Sequence, residues 1–170
     1  MASRIRDARA DDRDAVEAVT LAAYQQYASV MPALWEVYRQ NIVSTLAAAA
    51  LDAQIVAEDG GRIVGSVLLY RAGTVLARPG GDSLTLASPE VRLLAVAPAA
   101  RGKGVGDALM HECVARSRAS GAASLTLHTT DMMQAAVRLY ERMGFVRAPE
   151  IDFQPAPGIV VKGYRLDLTA

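Results

Sequence analysis

The sequence predicts a single domain of mixed α/β class, in which a central, mixed and mostly antiparallel twisted sheet carries helices on both faces. Three observations support this prediction. Strand-like and helix-like segments follow one another along all 170 residues, and hydrophobic residues make up 52% of the chain, enough for a sizeable core. The early strands come as hairpins and the later ones are linked by helices, a pattern typical of a mixed sheet.

Seven short apolar runs are predicted to be strands. The third and fourth are nearly continuous in apolar residues, as expected of strands buried on both faces. Asp59-Gly60-Gly61, between the second and third, is typical of a hairpin turn. Segments 77–89 and 152–158 are rich in proline and glycine and are predicted to be loops. In chain order the strands are 5–10, 54–57, 63–70, 91–96, 125–129, a short strand from 145, and 159–168.

Four segments are predicted to be helices. Asp11 and Asp12 favour the start of the first, because acids stabilise the positive end of the helix dipole. Pro32 opens the second, where a missing N–H costs nothing. Gly121 and Gly144 end the third and fourth, since glycine accommodates the left-handed conformation at a helix C-terminus. The helices run from Asp12 to about residue 28, from 32 to 51, from 104 to 118, and from 132 to 143.

The composition excludes several functional classes. Lys+Arg and Asp+Glu are both 18, so the chain lacks the basic excess of a general nucleic-acid binder. Two histidines and one cysteine, Cys113, indicate neither a disulfide nor a metal-ligand cluster. The apolar runs are shorter than a membrane span needs, and the N-terminal residues lack the apolar stretch of a signal peptide. We therefore expect a protein of the reducing cytoplasm, without a metal or a membrane partner.

The strongest functional signal is the segment Arg101-Gly-Lys-Gly-Val-Gly106, which we call the glycine loop. It separates a buried strand from a helix, whose first amides have no partner within the helix and lie at its positive end. Glycines let a large anion approach these amides, so the segment suits a diphosphate. It matches neither a P-loop nor a dinucleotide fingerprint. The alternative is a flexible loop that only requires glycine turns.

Two blocks resemble the GNAT acetyltransferase superfamily. Arg101-x-x-Gly104-x-Gly106, after the apolar strand that ends at Pro98, resembles its acetyl-coenzyme A motif, and Leu139-Tyr-Glu-Arg-Met-Gly-Phe145 resembles its second signature. The resemblance implies direct transfer of the acetyl group of acetyl-coenzyme A to a primary amine of a small molecule, an amino acid or a protein. It also implies a V-shaped splay between the fourth and fifth strands. The alternative is a non-catalytic acyl-coenzyme A-binding sensor or pseudoenzyme, which Met133 favours because the family often has Asn there.

The resemblance also implies where the cofactor binds. The fourth strand would pair with the pantetheine arm through backbone groups, and the glycine loop would bind the pyrophosphate through its amides. The residues implied on the strand are Leu94, Ala95 and Val96. Those implied in the loop are Arg101, Gly102, Lys103, Gly104, Val105 and Gly106.

Amine acetylation needs a base for the ammonium and an acid for the departing thiolate. The spacing of Tyr140 on an apolar stripe alone favours a packing role, but the resemblance implies that it is the acid. Glu90 opens the fourth strand and is the candidate base, with a solvated charge at the strand end as the alternative. Further candidates are His128, Asp131 and Asp152.

Four of the nine aromatic residues lie in or near the first two helices: Tyr24, Tyr27, Trp35 and Tyr38. We favour a packing role for them. The alternative is an apolar wall that receives an aromatic or aliphatic amine, because the resemblance implies that these helices border the acceptor. We expect a monomer or a homodimer.

Overall fold

The computed structural model of the chain describes residues 2–77 and 81–170 and confirms the predicted mixed α/β fold. The helices are α1 (Arg13–Tyr24), α2 (Trp35–Ala48), α3 (Val105–Ala119) and α4 (Gln134–Arg142). The strands are β1 (Arg4–Asp7), β2 (Gln54–Asp59), β3 (Arg62–Tyr70), β4 (Val75–Ala77), β5 (Ser83–Thr85), β6 (Glu90–Val96), β7 (Ser124–Thr129), β8 (Val146–Arg147), β9 (Phe153–Ala156) and β10 (Ile159–Asp167). Eight of these strands belong to one mostly antiparallel sheet, and β4 pairs only with β5.

The chain divides into two compact units, and the first comprises the described residues of Met1–Leu68 together with Leu93–Glu112. Here β2 pairs antiparallel with β1 on one side and β3 on the other. Gly60 and Gly61 have φ of 55° and 79° between the paired residues Asp59 and Arg62, which confirms the predicted hairpin. The end of β6 follows β3, where the Ala97 amide donates to the Val64 carbonyl at 2.8 Å.

Gly65 of β3 brings the start of α3 close to this sheet. A Cβ at Gly65 would lie 2.8 Å from Cγ1 of Val105 and 3.1 Å from Cδ1 of Leu109. Both side chains are buried on the first turns of α3. The absent side chain therefore allows the helix N-terminus to pack directly on β3, and this contact fixes the position of the glycine loop.

The second unit comprises the described residues of Leu69–Arg92 together with Cys113–Ala170. Strand β10 pairs antiparallel with β7 along six residue pairs, and with β8 and β9. Strand β6 pairs in parallel with β7 only at Glu90 with Thr126 and Val91 with Leu127. The ladder ends there, as the predicted splay of these strands requires. Gly121 and Gly144 have φ of 77° and 92°, which confirms both predicted helix ends.

Both predicted loops are wrong in part. The segment 77–89 contains β5, although its residues 78–80 lie outside the described residues. The segment 152–158 contains β9, which extends through Pro155 and pairs with β10 at only two positions. Proline lacks an N–H but tolerates extended backbone at irregular pairing, so proline content alone did not exclude a strand.

None of the helices within the described ranges is long and apolar enough to cross a membrane. The same residues contain no group of three or more His, Cys, Asp or Glu side chains that could hold a metal ion. The prediction of one domain over residues 1–170 stays a prediction.

Candidate active site

The glycine loop has the backbone conformation that its sequence predicts. It follows a short 3-10 turn at Pro98–Ala100 and leads directly into α3. Gly102 and Gly104 have φ of 74° and 79°, a region that residues with a Cβ adopt only under strain. A Cβ at Gly104 would meet no atom within 4 Å. Backbone conformation, rather than tight packing, therefore requires glycine at this position.

The first turn of α3 presents its amides at the end of this loop. The first intrahelical bond runs from the Ala108 amide to the Gly104 carbonyl at 3.0 Å. The amides of Val105 and Gly106 precede it and have no carbonyl four residues earlier within the helix. With the positive end of the helix dipole, they form an arrangement that suits a phosphate group.

The side chain of Arg101 holds the loop against α1. Its Nη2 donates to the Ala23 carbonyl at 3.1 Å, near the last residue of that helix. The guanidinium therefore contributes a structural contact as well as positive charge. Lys103 is exposed and adds a second positive charge to the loop.

Strand β6 reaches the same unit with Leu94, Ala95 and Val96. Ala95 is buried, whereas Leu94 and Val96 are half-buried. The preceding residue, Leu93, has φ of 50°, a strained value for a branched side chain in a strand. The Leu94 carbonyl accepts a hydrogen bond from the Tyr24 hydroxyl at 3.2 Å. Tyr24 thus supports the strand for which the family resemblance implies pairing with the pantetheine arm.

The predicted aromatic residues of the first unit do form a cluster. The ring centroid of Tyr24 lies 5.9 Å from that of Tyr27 and 6.0 Å from that of Tyr38. The ring centroid of Trp35 lies 6.2 Å from that of Tyr38. Burial, together with the nearby Tyr27, raises the pKa of Tyr38 to about 12. Tyr24 is buried and the other three rings are half-buried. The cluster therefore packs its own helices and still presents aromatic surface.

In the second unit, Glu90 lies in a group of polar side chains that we call the His128 cluster: Tyr70, Glu90, Arg92 and His128. Glu90 is only 3% exposed, so the alternative of a solvated strand-end charge is wrong. Its Oε1 accepts a hydrogen bond from Nε of Arg92 at 2.7 Å and lies 3.6 Å from Nδ1 of His128. The Arg92 guanidinium stacks over the Tyr70 ring, 5.8 Å from its centroid.

These neighbours determine the protonation of Glu90. Burial raises the pKa of Glu90, but interactions with His128 and Arg92 outweigh burial, so the pKa lies below its usual value. Glu90 is therefore a carboxylate at neutral pH. By itself it is a weak base, because the interactions that stabilise its charge also disfavour its protonation.

His128 is held from its other side by the chain that follows α4. Its Nε2 lies 2.8 Å from the Ile151 carbonyl, and its ring packs edge-on against Phe153 at 5.2 Å. Gly163, paired with His128 across the ladder, makes room for this contact, because a Cβ there would lie 2.2 Å from Cγ1 of Ile151. The amide of Gly163 donates to Oδ1 of Asp152 at 2.7 Å, which fixes the backbone next to Ile151.

The other candidate bases are held in ion pairs. Asp152 accepts hydrogen bonds from Arg147 at 2.8 and 2.9 Å, and these bonds, with that from Gly163, lower the pKa of Asp152 to about 2. Asp131 binds Nζ of Lys162 at 2.7 Å and is exposed. We therefore regard Glu90 and His128 as the better placed acid–base groups of this unit.

Tyr140 lies on α4 and is buried, 6% exposed. Its ring centroid is 5.9 Å from that of Phe145, and the Phe145 amide donates to the Tyr140 carbonyl at 3.0 Å. Gly144, with φ of 92°, makes the turn that folds Phe145 back onto the helix. The second sequence block therefore forms a compact helix end whose ring positions are fixed.

A family model described as acetyltransferase (GNAT) family matches residues 20–145, which include the glycine loop, Glu90 and Tyr140. The chain belongs to this family. The match confirms the resemblance that the two sequence blocks indicated.

Similar proteins cover different shares of the chain. A mycothiol acetyltransferase of Geodermatophilus obscurus is 37% identical over 89 residues, 52% of this chain and 27% of the relative. The chain thus spans about a quarter of that relative's length. The ribosomal-protein-S18-alanine N-acetyltransferase of Escherichia coli has a TM-score of 0.69 at 15% identity, covering 99% of this chain and 95% of the other. A GNAT acetyltransferase of Brucella melitensis, in complex with acetyl-CoA, has a TM-score of 0.57 at 23% identity, covering 97% of this chain and 87% of the other.

One position departs from the pattern of the GNAT family. Met133 stands where the family often has Asn, and it is the N-cap residue of α4, with no side-chain hydrogen bond to the helix. A thioether accepts hydrogen bonds only weakly and donates none. Any cofactor contact that an Asn makes there is lost in this chain.

The sequence analysis missed Arg92, Tyr70 and Ile151 as residues of this candidate site. A signal for Arg92 was present, because residues two apart on a strand share a face and Arg92 follows Glu90 at that spacing. The carbonyl of Ile151 had no signal, because a backbone group acquires this role only through the tertiary fold.

Proposed function

We propose that this chain is an N-acetyltransferase that transfers the acetyl group of acetyl-coenzyme A directly to a primary amine of a small molecule, an amino acid or a protein. The glycine loop is the observation that carries the proposal. Its two left-handed glycines and the amides of the first turn of α3 form an anion site in a chain of the GNAT family. We place the reaction in the cytoplasm and expect a monomer or a homodimer.

The cofactor is held by backbone groups in this proposal. The amides of Val105 and Gly106 bind the pyrophosphate, and Arg101 and Lys103 add positive charge. Leu94 and Val96 pair with the pantetheine arm through their backbone groups, while Ala95 between them packs into the core. Acetyl-coenzyme A supplies an activated thioester and a leaving group that departs as a thiolate.

Side chains supply the proton transfers. Glu90 receives the proton of the acceptor's ammonium, and the free amine then attacks the thioester carbonyl. The C–N bond forms and the C–S bond breaks. Tyr140 donates its hydroxyl proton to the departing sulfur and regains a proton from solvent.

The alternative is a non-catalytic acyl-coenzyme A-binding module. Met133 favours it, because a cofactor contact of the family is missing there. The buried pair of Glu90 and His128 favours catalysis, because two titratable groups at 3.6 Å are costly to bury and are typical of acid–base sites.

The experiment that tests the proposal combines thiol release with product identification. The protein is incubated with acetyl-coenzyme A and a metabolite extract, and new masses 42 Da above an amine-containing compound are sought, the gain that acetylation of an amine gives. Acetylated amines that form with the wild-type protein and are lost with Gly104→Glu support the enzyme. Binding of acetyl-coenzyme A without a product from any of a broad panel of amines, amino acids and peptides supports the module.

A further inference from the structure

We propose that His128 is the residue on which the acceptor's proton comes to rest, and that Glu90 passes the proton to it. His128 thereby acts through Glu90 as a positioning and proton-holding residue. The inference rests on the proposed amine acetylation and adds a second group to its base. It is drawn from the hydrogen bonds of the two nitrogens of His128.

The contact with Ile151 assigns the proton of the neutral imidazole. A backbone carbonyl can only accept a hydrogen bond, so Nε2, at 2.8 Å, carries the proton. Nδ1 is then an unprotonated nitrogen in the neutral ring. The Ile151 carbonyl is held in place, because Gly163 admits the Ile151 side chain and binds Asp152 through its amide.

The unprotonated nitrogen faces a carboxylate. Nδ1 lies 3.6 Å from Oε1 of Glu90, and both atoms carry lone pairs, so they form no hydrogen bond without a further proton. One added proton turns this repulsive contact into an ion pair. The side chains are 15% and 4% exposed, so water screens that pair only weakly. The pair is therefore prepared to take up one proton.

Within the pair, the proton rests on nitrogen. Oε1 of Glu90 already accepts from Nε of Arg92 at 2.7 Å, and protonation of Glu90 would leave the Arg92 charge without its partner. Protonation of His128 leaves the Glu90 carboxylate between two cations. Arg92 and Glu90 thus favour the state in which His128 is an imidazolium.

The proposed steps conserve protons and charge. In the resting pair Glu90 is a carboxylate and His128 is neutral. An N–H bond of the acceptor's ammonium breaks as an O–H bond forms on Glu90. That O–H bond then breaks as the proton binds Nδ1, while hydrogen bonds that are long in the free protein shorten. The charge of the pair changes from −1 to 0, and the amine keeps its lone pair for attack.

Other charged groups near His128 carry partners of their own. Glu90 and Arg92 face it from β6. Asp152, whose pKa is lowered chiefly by its hydrogen bonds with Arg147, lies before β9 and forms an ion pair with Arg147. Lys162 of β10, opposite Thr129, binds Asp131. These two ion pairs leave Glu90 as the carboxylate that contacts the ring.

Nuclear magnetic resonance tests the proton position without any acceptor. The chain has two histidines, and His111 on the exposed face of α3 is an internal reference. In ¹⁵N-labelled protein we expect His128 to be protonated at Nε2 when neutral. In Glu90→Gln the neutral His128 ring should keep its proton on Nε2, because the Ile151 carbonyl and not Glu90 fixes the tautomer. A neutral His128 ring that is protonated at Nδ1 overturns the inference.

Kinetics test the role in turnover. His128→Gln keeps an N–H donor for the Ile151 carbonyl but has no titratable nitrogen. We expect turnover to fall about 100-fold at neutral pH and to recover partly at high pH, where free amine is plentiful. His111→Gln, the matched control, should behave as wild type.

A loss of the same size at every pH, with the wild-type profile shape, would assign His128 a purely structural role and overturn the inference. If the wild-type protein is active and His128→Gln has the same turnover at each pH, the inference is also overturned, but the proposed acetylation of an amine still stands. A wild type that acetylates nothing contradicts the proposed function, and the resonance experiment then still decides where the proton resides.

Discussion

The glycine loop and the His128 cluster serve the proposed reaction by opposite means. The loop acts through backbone amides and the left-handed conformations of Gly102 and Gly104, within six consecutive residues. The cluster acts through side chains and one carbonyl, brought together from β3, β6, β7 and the turn before β9. In the proposed reaction, the loop binds an anion because of its backbone conformation, and the cluster moves a proton because of the groups that surround Glu90 and His128.

This difference determines how each region responds to substitution. A substitution in the loop should weaken cofactor binding if it changes the backbone conformation or places a negative charge beside the amides. Loss of a native loop side chain should weaken binding less. A residue of the cluster matters through its titratable atoms, so even a substitution that preserves shape alters function. The predictions below test this contrast.

The largest effect is expected for Gly104→Glu. The side chain adds a carboxylate at the start of α3, next to the amides that we propose bind the pyrophosphate. Like charges brought together in a binding site cost several kcal/mol, so the Kd for acetyl-coenzyme A should rise about 1,000-fold. Isothermal titration calorimetry measures it.

Gly121→Glu is the matched control, at the other end of α3. Gly121 also has positive φ, 77°, and open space at its Cβ position, so the backbone strain and the added charge are alike. We expect a loss of stability at least as large as that of Gly104→Glu, because a negative charge is disfavoured at a helix C-terminus, with unchanged affinity for acetyl-coenzyme A. A folded Gly104→Glu protein that binds with wild-type affinity would remove the pyrophosphate from this loop.

Tyr140→Phe should lower turnover about 100-fold, with little change in cofactor affinity. The substitution keeps the ring that packs on Phe145. It removes the hydroxyl that, in the proposed reaction, donates to the leaving sulfur. Loss of a general acid costs about 100- to 10,000-fold, and the good thiolate leaving group favours the lower end. Single-turnover kinetics measure the chemical step.

Tyr164→Phe, at a buried tyrosine of β10, controls for the loss of a buried hydroxyl. It should leave turnover within about twofold of wild type, because the proposed reaction assigns no role to the Tyr164 hydroxyl and its loss should affect stability rather than rate. A folded Tyr140→Phe protein with full turnover in the chemical step would assign Tyr140 to packing alone.

The same contrast explains what the sequence could predict. The positive φ of Gly102, Gly104, Gly121 and Gly144 is a local property of glycine next to a helix, so the sequence predicted the loop and both helix ends. The identity of Glu90 as a candidate base was also predicted. Its burial was not, because Arg92 and His128 make that burial tolerable and His128 comes from another strand.

The missed elements have a similar cause. Strands β5 and β9 lie in segments with proline and glycine, and each forms only because a partner strand supplies hydrogen bonds. Their local composition is typical of loops. In such short segments, pairing with a distant strand outweighs the low strand propensity of the residues, and the local sequence does not indicate that pairing.

A smaller effect is expected for Arg101→Gln. Arg101 donates one hydrogen bond to the Ala23 carbonyl, and a single hydrogen bond is worth about 1 kcal/mol, so the Kd should rise only about fivefold. Lys103→Gln, in the same loop, shows the effect of losing one exposed positive charge. A loss near 100-fold in Arg101→Gln alone would mean that the guanidinium itself binds phosphate, and that this loop also acts through a side chain.

The smallest effect is expected for the charge of Asp152, which holds the backbone next to Ile151, and it is a change in stability seen only at acid pH. Arg147 and the Gly163 amide lower the pKa of Asp152 to about 2, from an ordinary value of 3.8. A carboxyl group whose pKa is lower in the folded state than in the unfolded state stabilises the folded protein at pH values above its unfolded-state pKa. This stabilisation is lost as the pH falls through the folded-state pKa.

The free energy of unfolding should therefore differ between wild type and Asp152→Asn by a constant amount above about pH 5, and the difference should shrink as the pH falls from about 5 through about 2. Asn keeps an acceptor for the Gly163 amide, so the change reports the charge. Because the carboxylate is partly exposed, the effect is small. Urea unfolding at a series of pH values measures it, with Arg147→Gln as the reciprocal variant. A difference that does not change with pH would mean that Asp152 holds Ile151 in place by hydrogen bonding alone.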